Sequence, residues 1–373
     1  MKFTINKDEF VKSLLNITKI IQPKNINPIL TNVKLVLDNV GLNLTGSNGD
    51  LSITQNIPLF KGDREIIRDV KPGGCLINAK ILSDIARKID GTELYFELID
   101  NSVAKISNGK SIFKLNTVNV EEYTDIDFSK NGTIVKFTKD KFINSINEVA
   151  FAVAVKETRP ILTAINFYGE NNSLTMTATD GARLATKNLS IDIENKFNAN
   201  IPSKTLLEAL KSITDEEFIN LYISDKKVLI ELKNCLIISR LTSGDYPSIK
   251  NLIPKNYFYI LDVNASEFLG AIERVSLISQ ENESVVKLIM TENSVEISSK
   301  SQAMGSAVEK LNVFKYEGER LEISFRANFV TSAIRALKSE DVTLSFVGEM
   351  KPFVVTNKND PNLVQVITPV RTY

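Results

Sequence analysis

One amphipathic pattern occurs three times at a fixed interval, and this constrains the fold more than any other feature of the chain. Ser203-Lys204-Thr205-Leu206-Leu207-Glu208-Ala209-Leu210-Lys211-Ser212-Ile213 carries Leu206, Leu207, Leu210 and Ile213 at helical spacing. Ser203 stands before this apolar stripe as a candidate N-cap. The copies begin at Ala79 and Ala327, so each follows the last by 124 residues. That interval is too long for a solenoid unit and suits a domain, so the 373 residues divide into three.

Each repeat opens on a short alternating strand and a first helix: Phe3-Thr4-Ile5 before Phe10-Val11, Val135-Lys136-Phe137 before Phe142-Ile143, and Tyr259 to Val263 before Phe268-Leu269. Hairpins follow at 35–46, 165–176 and 286–297, then the repeated helix, then alternating strands at 93–98, 218–223 and 342–346. The last strands of the units are 112–115, 236–239 and 364–367. Two helices on an antiparallel sheet in each unit give an α+β class of three similar domains. Polar connectors place them at 1–129, 130–255 and 256–373.

The chain contains no histidine, which excludes Ser-His-Asp and Cys-His catalysis and His-ligated zinc. Cys75 and Cys235 form no C-x-x-C and read as reduced, buried thiols of a cytosolic protein. The N-terminus has no apolar h-region and no run approaches bilayer-spanning length, so a soluble cytoplasmic protein is expected. Ser107-Asn108-Gly109-Lys110-Ser111 ends like a phosphate loop but lacks the leading glycine, and reads as a type I′ hairpin turn. The acids Glu121, Glu122, Asp125 and Asp127 lie in a connector and read as solvated charge. No catalytic, metal or cofactor constellation is found.

Charge is more informative on the repeated helices. Leu82, Ile85, Ala86 and Ile89 define a core face with Arg87 nearly opposite, and the same repeat position holds Lys211 and Arg335. Lys80 and Lys204 lie earlier on that outer face, where the third copy has Asn328; Asp84 and Glu208 share the face. Lysine and arginine together number 45 and balance 45 acids, so affinity for a polyanion must come from segregating charge. Cations in register across three domains suit a sequence-tolerant phosphate surface. Thr179-Asp180-Gly181-Ala182-Arg183-Leu184-Ala185 is a second candidate, because its counterpart at 45–51 lacks the Arg-Leu pair.

With the Leu241-x-x-Gly244-x-Tyr246-Pro247 and Leu252-Ile253-Pro254-Lys255 connector, the ending Ile367-Thr368-Pro369-Val370-Arg371, and Met1-Lys2-Phe3-Thr4 with Asn27-Pro28-Ile29-Leu30, that stretch resembles the bacterial DNA polymerase III beta subunits, the sliding-clamp family, along the whole chain. The resemblance implies a non-catalytic processivity factor: three domains per protomer and a head-to-tail homodimer closing a ring around duplex DNA. Helices would line the pore, with phosphates meeting Lys24, Lys80, Arg87, Lys156, Lys204, Lys211 and Arg335 without base contacts. Phe113 of one protomer would meet Leu277 and Ile278 of its partner. The family also carries a hydrophobic pocket for short peptides of the replicative polymerase, the clamp loader and repair proteins. Matching positions are Arg159, Ile161, Leu162, Thr179, Gly181, Ala182, Arg183, Leu184, Pro247, Leu252, Val366, Thr368, Pro369, Val370 and Arg371. Ala182 stands where some members have histidine, and Thr368 where methionine is frequent. A monomeric repeat scaffold that binds peptides without DNA is the alternative.

Overall fold

The structure, a computed structural model, describes residues 1–155, 158–249, 252–279 and 284–372. Among the described residues six long helices form: α1 (Lys7–Thr18), α2 (Ala79–Lys88), α3 (Lys139–Ala150), α4 (Ser203–Ser212), α5 (Ala265–Ser276) and α6 (Ala327–Leu337). The starts of α2, α4 and α6 keep the 124-residue interval. Asn6, Asn78 and Asn264 cap α1, α2 and α5, each accepting a backbone N–H three residues on. Ser203 is the first helical residue of α4, following the strand Phe197–Pro202, and not the residue before the helix.

The chain divides into two compact units, residues 1–139 with 207–241, and residues 140–206 with 242–373. The first holds a five-stranded antiparallel sheet, ordered 112–116, 103–107, 93–99, 2–6, 67–71. Its second sheet has eight strands, ordered 133–138, 218–223, 227–232, 235–240, 51–58, 41–47, 32–37, 73–78. α1 packs against α2 and over the strands Gly41–Ser47 and Leu51–Pro58. The second unit holds a nine-stranded sheet, ordered 197–202, 164–170, 173–179, 183–190, 363–367, 353–356, 341–346, 259–264, 315–317. Its four-stranded sheet runs 305–311, 294–301, 285–291, 321–326. The long sheets therefore cross the repeat boundaries, with Cys235–Arg240 paired to Leu51–Pro58 and Arg183–Ser190 paired to Leu363–Ile367. Each seam continues a backbone hydrogen-bond ladder, so the repeats share sheet instead of touching through side chains alone.

The alternation of the strands is that of a one-sided core: Asn32–Leu37 buries every second residue, as does Val285–Thr291. On α2, Leu82, Ala86 and Ile89 are buried as expected, whereas Ile85 is half-buried and Ser83 takes a core position. On α4 the buried face is Thr205, Leu206, Glu208, Ala209 and Ser212, while Leu207 is 37% exposed. The stripe is thus rotated towards smaller residues than the leucine spacing implied. Glu208 does not share the solvent face with Lys204, because its carboxylate is covered where Lys19 and Lys211 converge on it, at 3.2 and 2.9 Å.

The turn at Asn108 is a four-residue loop between Ser107 and Ile112, and only Gly109 has positive φ (+89°), which rules out type I′. The Asn108 side chain takes the place of the second left-handed residue by accepting the N–H groups of Lys110 and Ser111. Both cysteines are free, and burial pushes each thiol up to about 12.

Candidate peptide pocket and nucleic-acid face

The turn between the strands Ser173–Thr179 and Arg183–Ser190 is built as an aspartate loop. Asp180 Oδ1 accepts the N–H groups of Ala182 (2.9 Å) and Arg183 (3.0 Å), and Gly181 supplies φ +91°. Asn48, with Gly49 behind it, makes the same pair of bonds in the first repeat. The carboxylate adds what an amide would not: Oδ2 accepts from Arg183 Nε at 3.0 Å. Thr179 closes the loop, its hydroxyl donating to the Arg183 carbonyl at 2.7 Å.

Strand alternation then separates Arg183 from Leu184. Arg183 pairs with Ile367 of the C-terminal repeat's core, and its guanidinium lies 4.6 Å from the Phe329 ring centroid and 5.5 Å from that of Phe151. Leu184 pairs with Val366, which pairs with Val354, and these three form an apolar row on the opposite face. Ile249, Ile253, Tyr257 and Val364 pack against that row. Among the matched positions, Leu184 and Val366 therefore come together, while Arg183 sits on the helix side and holds the turn. Val354, Ile249 and Tyr257 were not flagged by the sequence, although the alternation of 353–356 and 363–367 would have put Val354 beside Val366.

The buried Tyr246 hydroxyl accepts the Thr179 N–H at 3.0 Å and donates to the Ala164 carbonyl at 3.4 Å. It ties the connector to the turn and to the strand that follows Ile161 and Leu162; burial pushes this phenol up to about 12. Leu162 and Thr179 are buried, Ile161 is half-buried, and Arg159, Gly181 and Pro247 are exposed. Leu252 is 48% exposed, which suits an apolar rim. Thr368 is exposed and donates its N–H to the Ala182 carbonyl at 2.9 Å, while Ala182 packs against the core of the C-terminal repeat. Pro369 is buried, Val370 donates its N–H to the Ser324 carbonyl at 2.8 Å, and Arg371 is exposed.

Of the cations, Lys80 and Arg87 are exposed and line a groove of about 430 Å³ with Leu15, Lys19 and Asp84. Lys24 lies exposed in the loop after α1. Lys204 is exposed at the start of α4. Lys211 is engaged by Glu208, and Arg335 by Glu273 at 2.5 Å. Lys156 lies outside the described residues. Lys19, absent from the sequence reading, borders the groove but is committed to Glu208. Two sheet edges carry exposed apolar residues. In the first unit the edge strand Ile112–Asn116 exposes Ile112 (60%) and Phe113 (37%); in the second, Leu277 is 78% exposed after α5, Ile278 is half-buried, and edge strand Gly305–Leu311 exposes Val308 (66%).

Family models of the DNA polymerase III beta subunit match the whole length: the N-terminal domain at residues 1–127, the central domain at 136–248 and the C-terminal domain at 250–371. The beta sliding clamp of Bacillus subtilis (strain 168) is 38% identical over 378 residues, covering all of both chains. The chain belongs to the DNA polymerase III beta subunit family. The beta sliding clamp of Staphylococcus aureus (strain N315) is 33% identical, again over both full lengths. Among solved structures, the DNA polymerase sliding clamp of Bacillus subtilis superposes with a TM-score of 0.95 at 37% identity, and the beta chain of Streptococcus pneumoniae TIGR4 with 0.94 at 30%, each over the full length of both chains. Three beta-subunit domains account for the 124-residue interval, and each of the two cross-repeat seams pairs strands matched to consecutive domain models.

Proposed function

We infer that the chain is a DNA sliding clamp, the non-catalytic processivity factor of a replicative DNA polymerase. The observation that carries this is full-length kinship with beta sliding clamps, matched domain by domain. The three clamp domains are assigned to 1–129, 130–255 and 256–373. Two protomers close head to tail into a ring around duplex DNA, with the edge at Phe113 of one protomer against Leu277 and Ile278 of the other. Lys24, Lys80, Arg87, Lys156, Lys204, Lys211 and Arg335 are assigned to the phosphate-facing surface. Where Lys211 and Arg335 are ion-paired, exchange of a surface carboxylate for a phosphate costs little, so pairing does not remove them from that surface.

The apolar row Leu184–Val366–Val354 is assigned as the anchor pocket for peptides of the polymerase, the clamp loader and repair proteins. Its support is an apolar row on which Ile249, Ile253, Tyr257 and Val364 pack, beside the polar groups fixed at the Thr179–Arg183 turn. Among the described residues no helix is long and apolar enough to cross a membrane, and the cytoplasm, where bacterial DNA is replicated, is the assigned compartment. Kinship along the whole chain speaks against a scaffold that ignores DNA. The deciding experiment is retention on DNA after loading. Protein should co-elute with nicked circular DNA and leave it when the circle is linearised. Equal retention on both forms, or a mass in solution of a single chain, would overturn the ring.

A further inference from the structure

The C-terminal tail joins the anchor pocket to a second concavity. From Thr368, whose N–H is held by Ala182, the chain runs along the strand Leu321–Arg326: Val370 bonds to the Ser324 carbonyl, and the Thr372 and Ser324 hydroxyls meet at 3.0 Å. Beyond it, on the outer face of the four-stranded sheet, lies a groove of about 880 Å³. Its lining includes Lys287, Lys300, Arg371, Ser298, Ser306 and Thr372, and among the described residues it contains no carboxylate. Lys287 is matched by Glu322 at 2.5 Å. Lys300 and Arg371 are exposed and have no ion-pair partner among the described residues. The groove therefore holds two cations without an ion-pair partner beside the Ser306 hydroxyl, while Ser298 already donates to the Lys287 carbonyl and Thr372 meets Ser324.

We propose that this groove receives an acidic segment of the same partner peptide whose apolar residues enter the Leu184–Val366–Val354 pocket. The proposal rests on the pocket reading above. Its extra support is continuity, since Thr368 at the pocket and Arg371 at the groove are separated by three residues, at most roughly 10 Å of chain. An extended peptide anchored in the pocket reaches the groove within about as many residues of its own. Charge complementarity then sorts partners that share an apolar anchor, chiefly by raising the encounter rate of those with flanking carboxylates.

The test uses the full-length protein and two synthetic peptides with the same apolar anchor, one flanked by Asp and the other by Asn. Fluorescence anisotropy at low salt should give about 5-fold tighter binding for the Asp peptide, the scale of one or two exposed ion pairs. The advantage should fade towards 1 M salt, where screening reaches about 3 Å. Lys300→Glu should abolish it while leaving the Asn peptide's affinity unchanged, and Lys300→Arg should restore it. If both peptides bind wild type alike, the pocket stands and the groove proposal is overturned. If neither binds, the pocket reading fails and takes the proposal with it. Tighter binding of a single-stranded oligonucleotide of equal charge, lost in Lys300→Glu, would assign the groove to nucleic acid and also overturn the proposal.

Discussion

Asp180 can do what Asn48 does, and also hold an arginine. Asparagine at 180 would keep both backbone bonds of the loop and lose the charge on the oxygen facing Arg183 Nε. Asp180→Asn should therefore cost about 1 kcal/mol, and Asp180→Ala distinctly more, because two N–H groups lose their acceptor. Arg183→Ala should cost about 1–3 kcal/mol, from lost stacking on Phe329 and Phe151 and an unpaired Asp180. Urea midpoints check all three, and an unchanged midpoint for Arg183→Ala would return that side chain to a pure binding role. Glu208 makes a pH prediction. Burial raises its pKa, and the neighbouring Lys211 and Lys19 lower it further than burial raises it, so the folded value lies below the usual one. The folded chain then binds fewer protons than the unfolded chain near pH 4, so the stabilisation is present above about 4.3 and lost as pH falls through the folded value. Glu208→Gln should flatten the fall in urea midpoint between neutral pH and about pH 3; a wild type that falls no faster than the variant contradicts this.

At the scale of elements, the period-2 and period-3.6 patterns are local, and they are why the six helices and the strands of each hairpin could be read from the sequence. The starts of α2, α4 and α6 followed from the repeat alone. Three-dimensional neighbours decided the rest. Glu208 looked solvated until α1's end brought Lys19 beside it, and the apolar row was only half legible because Val354 joins Leu184 through Val366. Arg183 was placed in the pocket by resemblance, yet the face it takes follows from its pairing with Ile367. The helix surfaces carry their own prediction. Lys80 and Arg87 on α2 have no carboxylate partner among the described residues, whereas Arg335 on α6 has one. Lys80→Gln with Arg87→Gln should lower the slope of log affinity against log salt by roughly 1.8 for duplex DNA, and equally for different sequences. Arg335→Gln should lower it by less than roughly 0.9, since releasing Glu273 opposes the gain. A sequence-dependent change would remove these residues from a phosphate-facing role.

At the scale of the whole molecule, the proposed joint draws on two sheet edges. The five-stranded sheet stops at Ile112–Asn116 and the four-stranded sheet at Gly305–Leu311, and each edge shows apolar side chains that a lone protein would blunt with charge or proline. A heterologous contact between two such edges makes a closed assembly when the rotation returns on itself, and an open fibre when it does not. Phe113→Asp and Leu277→Asp should each convert the dimer to a monomer, because burying one unpaired carboxylate at the joint costs several kcal/mol. Neither should change the unfolding free energy of the isolated protomer by more than about 0.5 kcal/mol, since both side chains are exposed within the protomer. Light scattering at matched concentration separates the outcomes. A dimer that survives both substitutions would move the joint to other surfaces, whereas a monomer that still binds the anchored peptides would show that ring closure and the pocket are independent.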